Sequence, residues 1–228
     1  MSSMHGKGLA LALLLAATPA YAVPPHDLQD VRVVLDPGHG GDDWGVDPAG
    51  SGLQEKDVVL DIAARVQRRL HERGAQVFVT RTGDRFVSLN ARVRFANAVL
   101  FRPNNSLDHG RLISIHLNSN RQNPALERVE VIVDPEAEVP PFAVNMAIAL
   151  EQATEGGFGY RDEGYPPGVH PGDVAPVRWT FPRGNNVLTE AAFLSNPAHA
   201  RRLRDPAFLD RIAQAHVTAL EQTIRSGQ

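Results

Sequence analysis

The 228 residues include no cysteine. That absence excludes disulfide staples and thiolate metal sites, so stability must come from the core, and any metal must sit on histidine and carboxylate ligands. Aromatic residues make up only 6% of the chain, which leaves aliphatic side chains to fill the interior. Strong charge of one sign is also missing: the formal charge is −3 and the pI near 6.3. No basic field recruits nucleic acid. The chain has no HExxH pattern, so no single helix offers two histidine ligands by itself. Internal repeats, coiled-coil heptads and a second segment with its own core are absent too.

The one long apolar run is Leu9 to Ala17, too short to cross a membrane comfortably. It follows Lys7 and precedes Ala20-Tyr21-Ala22, an A-x-A cleavage pattern, so residues 1–22 read as a secretory signal peptide. Its removal takes away only Lys7 among the Lys, Arg, Asp and Glu residues and moves the formal charge from −3 to −4. Residues 23–30 then read as a short lead into one domain over 31–228. The expected location is periplasmic or secreted, with no membrane association after cleavage.

A hydrophobic content of 43% is enough for one α/β domain with a substantial core. Val31 to Asp36 reads as a first strand, ended by the turn Pro37-Gly38-His39-Gly40-Gly41. Residues 42–54 read as an irregular loop. Lys56 to His71 carries apolar residues at helical spacing, with Gly74 placed to end the helix. Gln76 to Thr80 is a second strand, and Ser88 caps a helix whose expected apolar face is Leu89, Val93, Ala96 and Leu100. Strands follow at Leu112–Ile115, Val129–Val133 and Val187–Glu190. A helix runs through Phe142, Met146 and Leu150, and Asp205-Pro206 opens a final helix. Residues 156–173, with six glycines and three prolines, read as a surface loop, the sharper alternative being a substrate-covering one.

This alternation predicts an α/β fold: a mostly parallel twisted sheet with helices on both faces. In such sheets ligands sit outside the carboxyl ends of the strands. His39, His116 and Glu190 each follow an apolar run and would share that edge. A catalytic zinc needs three protein ligands and one open position. His39 and His116 supply nitrogens, Glu55 at the start of the first helix can supply a carboxylate oxygen, and Glu190 remains free as a general base. Asp36 and Asn118 are candidates to orient the ligand histidines. Arg81 is expected to pair with Asp84 or a nearby carboxylate. His216 reads as a packing residue, while His71, His109 and His199 read as solvated. Only His170 is kept as a substrate contact.

Asp36-Pro37-Gly38-His39-Gly40-Gly41, Glu55-Lys56-Asp57, Thr80-Arg81, Ser114-Ile115-His116-Leu117-Asn118 and Glu190-Ala191-Ala192-Phe193-Leu194-Ser195-Asn196-Pro197 together resemble the ordered signature of the zinc-dependent N-acetylmuramoyl-L-alanine amidases of type 3. The resemblance runs from about Val31 to the last helix. It implies zinc held by His39, Glu55 and His116, Glu190 as the catalytic glutamate, and cleavage of the amide between N-acetylmuramic acid and the first L-alanine of peptidoglycan. The implied partner is peptidoglycan, with room for a protein activator and no nucleic acid, and the chain is expected to be monomeric. Two rival readings remain: a non-catalytic wall-binding or regulatory protein on the same fold, and a zinc peptidase or deacetylase acting on another wall component. Leu117, Ala192 and Arg128 depart from the family pattern, and the first two are expected to narrow the cleft. No long occluding helical insertion lies between the fourth strand and Glu190, so self-inhibition is not expected.

Overall fold

The computed structural model describes residues 28–46, 52–101, 110–158 and 163–227. The expected signal peptide and His109 lie outside them. The order is β1 (Arg32–Pro37), α1 (Glu55–Glu72), β2 (Gln76–Val79), α2 (Leu89–Leu100), β3 (Gly110–Asn118), β4 (Glu130–Val133), α3 (Pro141–Thr154), β5 (Val169–Pro171), α4 (Ala175–Arg178), β6 (Asn186–Phe193), α5 (Pro197–Arg202) and α6 (Pro206–Arg225).

The six strands form one sheet in the order β2-β1-β3-β6-β4-β5. β2, β1, β3 and β6 run parallel, β4 pairs antiparallel with β6, and β5 runs parallel to β4. The main core lies on the face covered by α1, α3 and α6, where Ile113, Ile115 and Val187 meet Ile62, Met146 and Ile212. On the other face Val34 and Leu112 pack against Ala96 and Leu100 of α2. The mostly parallel sheet with helices on both faces is therefore the fold that the alternation of elements predicts.

Local chemistry sets the helix ends. Ser88 accepts a hydrogen bond from Ala91 N, and Asp205 accepts from Ala207 N with Pro206 as the first residue of α6. The expected face of α2 needs correction. Leu89 is exposed, whereas Arg92 is buried in line with Ala96 and Leu100. A guanidinium can occupy that position because Asp36 and three backbone carbonyls receive its donors.

The stretch over 156–173 also differs from a surface loop. Val169 is fully buried and starts β5, a three-residue strand at the sheet edge. Its closing Pro171 is tolerated because an edge strand has one side free of ladder bonds. Strand alternation sorts the remaining side chains. Thr189 faces α6 and lies 3.0 Å from His216 Nε2, so Glu190 points to the opposite face, the one covered by α2.

His216 is buried as expected, with its Nδ1 donating to Ile212 O at 2.8 Å. His199 is not solvated: it is buried, and its Nδ1 accepts from Phe193 N at 2.9 Å. It pins the end of β6 to α5. Burial pushes the His216 imidazole down to about 4. Below its unfolded value the unfolded chain binds the extra proton, so His216 costs stability progressively as pH falls from about 6.5 toward 4. Unfolding free energies measured by urea titration in the presence of a metal chelator should fall across that window more steeply than in His216→Gln, by up to about 1.4 kcal/mol per pH unit. Equal slopes would assign the loss to other groups.

Candidate metal centre

The centre is built on the turn that leaves β1. Gly40 and Gly41 have positive φ, and so does His39 at 59°, a left-handed conformation that costs a non-glycine residue about 1–2 kcal/mol. Two buried arginines hold it. Arg92 donates to Pro37 O at 2.8 Å and His39 O at 2.7 Å, while Arg81 donates to Pro37 O at 3.0 Å and Gly38 O at 2.7 Å. Lys56 Nζ reaches Gly41 O at 2.9 Å and Asp84 at 2.7 Å. Asp84 also accepts Gly41 N at 2.7 Å. Arg81 thus serves backbone carbonyls and Asp84 pairs with Lys56, in place of the pairing of Arg81 with Asp84 or a nearby carboxylate expected from sequence. Arg81 lies fully buried against the turn, where the carbonyls of Pro37, Gly38 and Lys56 converge on it.

The turn brings His39 to Glu55, the first residue of α1, and to His116 near the end of β3. His39 Nε2 lies 3.2 Å from Glu55 Oε1, and His116 Nδ1 lies 3.1 Å from the same oxygen. Ligand atoms of the three residues all fall within 4.8 Å of one another. Two donors bound at about 2.0–2.1 Å to one tetrahedral ion lie roughly 3.3 Å apart, close to the spacing of each imidazole nitrogen from Glu55 Oε1. Two imidazoles and one carboxylate are also a donor set that leaves zinc an open position. Close packing explains two of the glycines. A Cβ on Gly38 would meet the His116 ring at 2.2 Å, and one on Gly45 would meet Glu55 Oε2 at 2.5 Å.

Glu55 is buried, and its remaining capacity is filled by Leu117 N at 3.0 Å and Val46 N at 2.9 Å. Burial alone would raise its carboxyl, but hydrogen bonds from His116 and His39 outweigh it and pull the group down to about 2. Burial likewise works against a charged His39, yet Glu55 and Asp43 raise it.

Glu190 stands next to His116 in register on β6, and Glu130 of β4 faces Glu190 across the antiparallel pair. Glu190 Oε2 is buried with no hydrogen-bond partner among the described residues. Burial, then repulsion from Glu55 and Glu130, pushes this carboxyl well above the usual range. A carboxylic acid of this kind beside the His39–Glu55–His116 cluster is suited to carrying a proton.

The residues proposed to orient the histidines do other work. Asp36 accepts from Thr80 at 2.6 Å, Ser114 at 2.9 Å and Arg92 at 2.6 Å, because its side chain points beneath the turn toward α2. Asn118 donates to Glu130 at 2.8 Å and so braces the carboxylate across from Glu190. The group that does hold a ring of the cluster is Asp43, whose Oδ1 lies 2.9 Å from His39 Nδ1. Sequence reasoning missed it, because Asp42, Asp43 and Asp47 share one loop and nothing in their pattern selects among them. Leu117 and Ala192 do not narrow the cleft. Both are buried in the main core on the other side of the sheet. His170 lies on β5 with Nε2 3.6 Å from Glu130.

Comparison with known proteins follows the same line. The family model described as N-acetylmuramoyl-L-alanine amidase matches residues 33–222. The amidase LytC of Bacillus subtilis is 31% identical over 214 residues, an alignment that covers 92% of this chain and 40% of LytC. Among solved structures, the N-acetylmuramoyl-L-alanine amidase AmiC2 of Nostoc punctiforme superposes with a TM-score of 0.70 at 26% identity, covering 86% of this chain and 97% of that one. The corresponding enzyme of Clostridium difficile 630 gives 0.72 at 26% identity, over 87% and 98%. The glycine-framed turn, the His–Glu–His cluster at the sheet edge and these matches together place the chain in the type-3 N-acetylmuramoyl-L-alanine amidase family.

Proposed function

We propose that the chain is an exported zinc hydrolase that cleaves the amide between N-acetylmuramic acid and the first L-alanine of peptidoglycan. The observation that carries this reading is the convergence of His39, Glu55 and His116 within 4.8 Å, beside a buried Glu190 oxygen without a partner. His39, Glu55 and His116 would hold the ion, with His39 Nε2 and His116 Nδ1 the nitrogens turned toward Glu55 Oε1. Zinc bound there would supply Lewis acidity to the amide carbonyl and to a water.

The protein's own residues do the rest. Glu190 takes a proton from the attacking water as its oxygen bonds to the lactyl carbonyl carbon. As the C–N bond breaks, Glu190 returns that proton to the departing alanine nitrogen, leaving a carboxyl group on the sugar side and a free amine on the peptide. The raised Glu190 belongs to the metal-free chain, and a dication beside His116 favours its ionised form. Asp43 fixes the His39 ring through Nδ1 and leaves Nε2 turned toward Glu55. Asn118 and Arg128 hold Glu130, which keeps its charge on the far side of Glu190.

Mass spectrometry of soluble products from isolated sacculi tests the reading. Release of stem peptides with a free N-terminal L-alanine, dependent on zinc and abolished by chelator, is the expected result. Cleavage at a peptide bond or release of acetate would instead support a peptidase or a deacetylase. Glu190→Gln should retain one equivalent of zinc while losing at least about 100-fold in rate. A Glu190→Gln enzyme of normal rate would remove Glu190 from the base role. His116→Ala should lose tight zinc, which a competing chelator reads directly. Asp43→Ala should weaken zinc by about 10- to 100-fold with the fold intact by circular dichroism. Unchanged affinity would show that the Asp43–His39 contact does not support the metal.

A further inference from the structure

The metal centre opens into a cavity of about 100 Å³. Gly38, His39, Asp43 and His116 line it from the β1 turn and β3, and Phe86, Leu89, Arg92 and Pro176 line it from α2, the residue stretch before it and α4. Phe86 and Leu89 are 62% and 57% exposed and adjoin one another at the cavity. They are fixed at the site. A Cβ on Gly41 would lie 2.8 Å from Phe86 N, so the backbone before α2 packs on the metal turn, and the Ser88 cap sets Leu89 as the first helical residue. Aromatic residues continue the rim outward, with the Arg178 guanidinium over the Trp179 ring. Asn97 of α2 donates to Trp179 O at 2.9 Å and accepts from Phe181 N at 2.7 Å, and these aromatics, just beyond α4, are 53% and 56% exposed. From His116 toward β5 the surroundings are charged instead: Glu190, then Glu130, with Arg128 paired to Glu130 and His170 beside it.

We propose that the α2–α4 rim, Phe86, Leu89 and Pro176 continued by Trp179 and Phe181, is the subsite for the glycan strand, and that the stem peptide lies toward β4 and β5. The inference rests on the amidase reading and adds the direction in which substrate crosses the centre. Two independent arguments give that direction. The departing nitrogen must sit where Glu190 can protonate it, which puts the peptide on the β6 side and turns the lactyl group and its sugar toward the opposite wall. The chemistry of the two walls matches as well. The lactyl methyl, the N-acetyl group and the C–H faces of pyranose rings are uncharged and suit an apolar aromatic rim, whereas the stem peptide carries charged groups that suit the Arg128–Glu130–His170 side.

The test titrates zinc-loaded protein with glycan strands stripped of stem peptides and, separately, with free stem peptides, reading the dissociation constant by calorimetry. Two variants carry it, Phe86→Ser with Leu89→Asn, and Trp179→Ala with Phe181→Ala. All four side chains are exposed, and circular dichroism verifies the fold. Each pair should weaken glycan binding at least tenfold and leave stem-peptide binding unchanged. Loss of stem-peptide binding instead would reverse the orientation and overturn the proposal. Glycan affinity unchanged by both pairs, or undetectable in the wild type, would overturn it as well, including the case in which the rim captures a protein partner. Failure of the amidase reading would show separately, as sacculi that yield no free N-terminal L-alanine with the wild-type chain.

Discussion

The buried ion pair between Asp36 and Arg92 is the interaction on which the site depends. Nη1 of Arg92 lies 2.6 Å from Asp36 Oδ1, and both side chains are almost wholly removed from solvent. Breaking such a pair by deleting one partner costs about 3–5 kcal/mol, since the other charge stays buried. Here the pair has a structural consequence beyond its energy. It anchors a guanidinium whose remaining donors hold the carbonyls of Pro37, His39 and Val87, so the left-handed His39 is held from below by α2. Arg81 does the same for Pro37 and Gly38. A strained backbone conformation persists only when its surroundings over-determine it, and this turn is gripped from two sides.

Once the turn is fixed, the sheet does the positioning. β1, β3, β6 and β4 are neighbours, and they present Pro37-to-His39, His116, Glu190 and Glu130 side by side along one edge. Glu55 enters from the start of α1, where exposed helix amides favour a carboxylate. Because every one of these groups sits on or directly after a regular element, the donor atoms reach their spacing with little loop freedom. The antiparallel β4 adds the second carboxylate, which a wholly parallel sheet would have delivered only through another crossover.

Much of this arrangement was legible in the sequence. Apolar runs ending in His39, His116 and Glu190 gave the strands and their shared edge, and helical spacing after Glu55 placed it at a helix start. The rest was hidden for identifiable reasons. Arg92 falls at the spacing of a core residue but has the composition of a surface one, and only the position of Asp36 in space makes it buried. Asp43 is one of several aspartates in a glycine-rich loop. Glu130 becomes relevant only because β4 runs antiparallel to β6, a pairing that no periodicity reports. β5 is three residues long and ends in proline, below the length at which alternation can be read. Leu117 lies one residue from His116, yet the pleat turns it into the opposite core.

The most direct test of the account is X-ray absorption at the zinc edge on the loaded protein. The account expects two imidazole nitrogens, one carboxylate oxygen and one further light-atom ligand at about 2.0–2.1 Å, with one imidazole lost in His116→Ala. A coordination shell with a single imidazole, or one that His116→Ala leaves unchanged, would contradict a centre built from His39, Glu55 and His116.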